Sequence, residues 1–293
     1  MRAENHAPRG VPSAARSVLD VGAVRRAVIS PGGLWQSVEV MPVTGSTNAD
    51  LLALAAGGAG EGTVLTAEEQ VAGRGRLGRA WVSPPRAALT FSLLLRPQAI
   101  PPARRGWISL LAGVAVASAV RAVAPVDARL KWPNDILAGP AKLGGILAEA
   151  AGDAVVVGIG LNVSTEPAEL PPPGPGALPA TSLRILLASG SGPDPAREAL
   201  LIEILAAAER WYQAWRRAGG DPESCGLRAE YTRLCGTIGR RVRVELPGGQ
   251  LFSGLAVGVD PDGRLLVRES PRPGSSGAGS ERAVAAGDVV HLR

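Results

Sequence analysis

Four residue types are scarce in this 293-residue chain, and each scarcity excludes something. Cysteine and histidine occur twice each, as Cys225, Cys235, His6 and His291. Two of each cannot build a disulfide framework or a cysteine/histidine zinc site, and the chain is expected in a reducing cytoplasm. Lysine is equally rare: of 31 lysines and arginines only Lys131 and Lys142 are lysines. Where charge alone is needed the chain uses arginine, so a retained lysine marks a place where a planar fork does not replace a compact ammonium. Asparagine occurs at 5, 48, 134 and 162, and the last three fall in segments that look like sites.

Long apolar runs are missing as well. The most apolar stretch, residues 107–120, is shorter than a bilayer span and contains Ser109, Gly113 and Ser118, which reads as a buried helix with no membrane role. The first residues mix Arg2, Glu4, Arg9 and Arg16 without an apolar core, unlike a signal peptide. A net charge of +5 is spread along the chain and argues only weakly for nucleic acid. With 46% hydrophobic residues the chain can bury a large core and a small second one.

Residues 1–33 show no sustained periodicity and end in Ser30-Pro31-Gly32-Gly33, which predicts a disordered extension dispensable for activity and too short for a DNA-binding domain. A catalytic domain is expected over 34–236. In it, residues 36–41 alternate like a strand, Ser46-Thr47 offers a helix cap, and 63–67 and 88–95 read as buried strands. Residues 104–124 and 195–217 have helical character, and 143–150 with 154–161 form a hairpin. The proline- and glycine-dense stretch 166–179 is a loop without an assigned role. Over 237–293, short strand patterns broken by turns predict a small β-barrel.

Four segments carry chemistry. The loop Gly73-Arg74-Gly75-Arg76-Leu77-Gly78-Arg79 matches G-x-G-x-x-G, but Trp81 to Pro85 follows and cannot be the helix that a dinucleotide fingerprint must open. Three glycines that admit backbone to an anion, alternating with three arginine forks, suit a phosphate; a DNA-binding arm or a solvated basic loop would read the same way. Lys131-Trp132-Pro133-Asn134-Asp135 follows a strand, and Lys142-Leu143-Gly144-Gly145 follows seven residues after Asp135. Pro-Asn-Asp also suits an ordinary turn. Gly158-Ile159-Gly160-Leu161-Asn162 is a second glycine-rich strand end.

Together with Ser46-Thr47-Asn48, Gln70 and Trp81, these segments resemble, in order and spacing over about residues 36–293, the biotin protein ligases, of the type without an N-terminal DNA-binding domain. The resemblance implies an α+β fold, a mixed, largely antiparallel sheet with packed helices as in class II synthetases and the biotin and lipoate ligases, plus an SH3-like barrel. It implies biotin binding by Ser46, Thr47, Asn48, Gln70, Arg74, Gly75, Arg76 and Lys142, with Lys142 and Arg76 catalytic. ATP and the adenylate are expected on Arg74, Arg76, Arg79, Trp81, Lys131, Asn134, Asp135 and Asn162. Mg²⁺ should accompany ATP, with Asp135 as its protein ligand. The partner implied is the biotin carboxyl carrier domain of an acyl-CoA carboxylase, with no specific DNA and no membrane, the enzyme acting as monomer or homodimer. A lipoate or octanoate ligase of the same fold is the alternative, but its Arg-Arg and triple-glycine signature is absent. A second alternative is a non-enzymatic nucleic-acid-binding protein.

Overall fold

The computed structural model describes residues 16–173, 178–187, 196–269, 279–285 and 287–292. The elements run α1 (Val21–Val28), β1 (Ser37–Met41), α2 (Thr47–Ala56), β2 (Thr63–Ala67), β3 (Ala88–Leu95), α3 (Trp107–Val123), β4 (Ala128–Lys131), β5 (Asp135–Ala138), β6 (Ala141–Ala151) and β7 (Ala154–Asn162). Then follow α4 (Leu183–Leu187), α5 (Arg197–Arg217), α6 (Leu227–Leu234), β8 (Arg241–Glu245), β9 (Leu251–Val259), β10 (Leu265–Glu269), β11 (Glu281–Val284) and β12 (Asp288–His291).

Seven strands form one sheet in the order β1-β2-β3-β7-β6-β5-β4, parallel only between β1 and β2. The alternation of β7 sorts its side chains between two layers. Val155, Val157, Ile159 and Leu161 join the main core under α3 and α5, whereas Ala154 and Val156 meet Leu51 and Ala55 of α2 on the opposite face. Full burial of one such aliphatic side chain contributes about 1.5–3 kcal/mol. Few aromatics are present, and Trp35, Trp107, Trp132, Trp215, Tyr212, Tyr231 and Phe91 are all fully buried. The helical run Pro102–Val123 is long and apolar enough to cross a membrane, but most of it is buried in this core.

The segment before β1 departs from the expected extension. Residues 1–15 lie outside the described residues, but the chain beyond them is folded. Asp20 accepts a hydrogen bond from the Ala23 amide at 2.9 Å and starts α1, which buries Val24 and Val28, while Leu19 enters the same core. Apolar residues at positions 21, 24 and 28 give the helix one core-facing stripe, a spacing hidden by the arginines around it.

The last five strands pair antiparallel in the order β11-β10-β9-β8-β12. These five strands form the antiparallel sheet of the region where a small barrel is expected, and among the described residues no pairing joins β11 to β12. Its turn at 260–263 is fixed on the seven-stranded layer, because Trp107 donates to Pro261 O at 2.9 Å and Trp132 to Gly263 O at 3.1 Å. Val242, Val244, Ala256 and Val289 belong to the same buried cluster as α3 and β4. That docking brings β8 and β12 to the mouth of the cavity described next.

Candidate active site

On the α2 face of the sheet the strands enclose a cavity of about 780 Å³. Missing side chains make room for it. A Cβ at Gly160 would lie 2.5 Å from the ring of Trp81, and one at Gly158 would overlap the Asn48 side chain. At this end the wall is neutral and hydrogen-bonded. Gln70 Oε1 accepts from the Thr47 amide at 2.8 Å and from its hydroxyl at 3.1 Å. Ser92, fully buried on β3, lies 2.7 Å from Thr47 Oγ1 and 2.6 Å from Asn48 Oδ1. Both amide protons of Asn48 are engaged, by Leu147 O at 3.1 Å and Glu149 at 2.7 Å. Asn48 therefore has only acceptor capacity left for a ligand, while the amide protons of Gln70 remain as donors. Ser46 begins α2 but does not cap it with its side chain, and it lines the cavity instead.

The other end is charged. β4 ends on Lys131, β5 begins at Asp135 and Lys142 is the second residue of β6, so the antiparallel turns bring three charges together. Lys142 Nζ lies 2.6 Å from one oxygen of Asp135, and Lys131 Nζ 3.4 Å from the other. Burial pushes the Asp135 carboxyl up, but the ammonium groups of Lys142 and Lys131 outweigh it and hold it below the usual carboxylate range. Asn134 is locked between Ile146 O, to which it donates at 2.9 Å, and Arg76, whose guanidinium donates to it at 3.1 Å. Burial draws the pKa of Arg76 down against the pull of Asp288 and Asp135, yet a guanidinium stays charged at any physiological pH.

The glycine/arginine loop is a narrow hairpin over this cavity. Gly75 N donates to Arg79 O at 2.7 Å and Trp81 N to Gly73 O at 2.9 Å. At its tip Leu77 takes φ 56°, a left-handed conformation uncommon outside glycine, and is two-thirds exposed. Arg74 lies 3.5 Å from Glu149 of β6, and Arg79 pairs with Asp288 of β12. Arg243, Glu245, Asp288 and His291 line the cavity from the C-terminal sheet. The Thr237 hydroxyl accepts from the Trp132 amide at 3.1 Å and lies 3.0 Å from His291 Nε2. Burial, aided by Lys131 and Arg240, pushes the His291 pKa down to about 4.

Ser46, Thr47, Asn48, Gln70, Arg74, Gly75, Arg76, Arg79, Trp81, Lys131, Asn134, Asp135 and Lys142 all line this one cavity. Asn162 does not. It sits at the end of β7 opposite Ala88 and donates to Thr181 O at 2.9 Å, which makes it a strut for the following loop. Asp135, expected to hold Mg²⁺, has its two oxygens facing two ammonium groups. Among the described residues no three carboxylate, histidine or cysteine side chains cluster as a metal site. Sequence reasoning missed Ser92 and Glu149 as neighbours of Asn48, and the contribution of β8 and β12.

A cavity with a neutral hydrogen-bonding end and a cationic end, roofed by a glycine/arginine loop, defines a site for a small acid beside a nucleotide, as in the acid-activating ligases. The chain belongs to the biotin/lipoate A/B protein ligase family, which residues 40–165 match, while residues 237–292 match the biotin protein ligase C-terminal domain. It is 44% identical to the biotin--[acetyl-CoA-carboxylase] ligase of Mycobacterium tuberculosis over 95% of this chain and 97% of that one. It is 33% identical to the bifunctional ligase/repressor of Escherichia coli over 80% of this chain and 70% of that one. Among solved structures it shares the fold of the Aquifex aeolicus biotin protein ligase in complex with biotin and ATP, with a TM-score of 0.68, 24% identity and coverage of 88% and 100%.

Proposed function

We propose that this chain is an ATP-dependent ligase that activates biotin as biotinyl-5'-AMP and transfers it to a lysine of a carboxylase carrier domain. One observation carries the reading: a single cavity holds uncharged ring-binding side chains at one end and Lys142, Lys131 and Arg76 at the other. A bicyclic ureido ring fits the first end, since it offers both N–H donors and a C=O acceptor to Ser46, Thr47, Asn48 and Gln70. Its valeryl carboxylate then extends toward Lys142. The sulfur-containing ring of lipoate or the tail of octanoate would leave those polar groups unpaired, and that mismatch disfavours both.

In the first step a carboxylate oxygen of biotin attacks the α-phosphorus of ATP, and pyrophosphate leaves. Lys142 stands where two anions must approach each other, and its ammonium offsets their repulsion. Asp135 keeps Lys142 and Lys131 aimed at one point, while Asn134 holds Arg76 over the phosphate side. Mg²⁺, when bound with ATP, neutralises phosphate charge; no residue found here is assigned to it. In the second step the acceptor's neutral lysine amine attacks the acyl carbon and AMP departs as the leaving group. The partner is a biotin carboxyl carrier domain; neither specific DNA nor a membrane enters the reading.

The test is exchange of labelled pyrophosphate into ATP with biotin, lipoate or octanoate as the acid, followed by addition of a carrier domain. Biotin alone should support exchange, and the carrier should become biotinylated. Equal exchange with lipoate or octanoate would reject the reading.

A further inference from the structure

Glu68 is a buried carboxylate without a part in the chemistry above. It follows β2, stands two residues before Gln70 and does not itself line the cavity. One oxygen accepts from the Leu19 amide at 2.6 Å, and the other pairs with Arg197 of α5 at 2.7 Å. Arg197 is itself buried and donates onward to Ser17 O at 2.7 Å. Residues 16–20 thus cross the end of the sheet as a strap. Arg16 fastens its start to Ser164 O at 3.0 Å and to Glu169 at 2.5 Å, and the Asp20 amide fastens its end to Glu198 at 2.8 Å.

The strap grips the segment that carries Gln70. Glu68 N donates to Met41 O at 2.9 Å, Thr44 N to Glu69 O at 3.0 Å and Val71 N to Thr44 O at 2.9 Å, so residues 68–71 are zipped along 41–44. On the far side Arg86 N donates to Glu68 O at 2.7 Å, and the Arg86 side chain reaches Arg16 O at 3.4 Å. Displacement of Glu68 is therefore a displacement of Gln70, whose carbonyl fixes both the amide and the hydroxyl of Thr47.

We propose that Glu68 is a positioning residue for the ring end of the cavity, and that residues 16–20 are the strap that holds it. The inference rests on the functional reading above, and the experiment separates the two. Coupling is reciprocal: if the strap raises biotin affinity about tenfold, equivalent to about 1.4 kcal/mol, bound biotin must stabilise the strap by the same factor.

Amide hydrogen exchange on the full chain, with and without saturating biotin, reads that factor directly. Exchange at residues 17–20 should slow about tenfold, alongside protection of the loop 73–79, which reports that biotin is bound. Deleting residues 1–19 keeps the Asp20 cap of α1; compared with a chain lacking only residues 1–15, it should raise KM for biotin about tenfold while kcat and KM for ATP stay within about twofold. Glu68→Gln should shift KM for biotin in the same direction. A role confined to stability would lower Tm and leave KM of the folded enzyme unchanged. Protection of 73–79 without protection of 17–20 overturns the proposal, even where the deletion variant does not fold. Protection of neither segment overturns the functional reading and this proposal with it.

Discussion

The two ends of the cavity are built by different physics. The ring end is a closed hydrogen-bonded network in which the uncharged side chains of Gln70, Thr47, Ser92 and Asn48 hold one another in place before a ligand arrives, with the Glu149 carboxylate behind Asn48 at its edge. The charged end is an unbalanced cluster, in which Lys131, Lys142 and Arg76 outnumber the nearby carboxylates Asp135 and Asp288. The first selects through shape and hydrogen-bond direction, which change little during reaction. The second acts where charge moves, so its interactions strengthen as carboxylate and phosphate approach. Substitutions at the charged end that keep the charge should therefore lower kcat, those that remove it should also weaken carboxylate binding, and those at the ring end should raise KM.

The largest effect is expected for Lys142→Arg. The wider, delocalised cation cannot take the ammonium's place beside Asp135, and biotin-dependent pyrophosphate exchange should fall by about 10²–10³ with KM for biotin nearly unchanged. Activity within a few-fold of the parent would break the division. Gly160→Ala comes next. Its Cβ would collide with Trp81, and relieving such overpacking takes about 1–3 kcal/mol, so calorimetry should show biotin binding weakened roughly tenfold or more. An unchanged Kd would mean that Trp81 moves away freely.

Glu149→Gln sharpens the boundary, because Glu149 accepts from Asn48 of the ring end and faces Arg74 of the loop at 3.5 Å. Gln still accepts from Asn48, so KM for biotin should rise no more than about threefold, the modest value of a partly exposed ion pair. A hundredfold loss would make Glu149 part of the charged end. The smallest effect concerns His291. Its folded pKa of about 4 lies below the ordinary 6.5, so the unfolded chain binds the proton first as pH falls. The stability it protects is full above pH 6.5 and lost between 6.5 and about 4, whereas Asp135 is held below the usual carboxylate range. Denaturant midpoints at pH 7 and 5 should differ less in His291→Gln than in the parent.

Much of this site was legible because its chemistry demands particular residues in short runs. Ser46-Thr47-Asn48, the glycine/arginine loop and the two lysines stand out in a chain that uses asparagine and lysine sparingly. Ser92 was not legible. It sits inside the apolar strand Ala88–Leu95, and only the packing of α2 on β3 turns its hydroxyl toward Thr47 and Asn48. Asn162 is equally rare but lies outside the cavity lining, where it donates to Thr181 O. The strap was hidden because Leu19 and Glu68 are 49 residues apart and neither belongs to a motif.

The division is tested most directly by calorimetry with biotin and its alcohol analogue, which keeps the ring and lacks the carboxylate, on the parent chain and on Lys142→Ala. The parent should prefer biotin, and the preference should vanish in Lys142→Ala while affinity for the alcohol stays the same. A preference that survives the substitution would contradict the placement of Lys142 at the carboxylate, and with it the charged end as described.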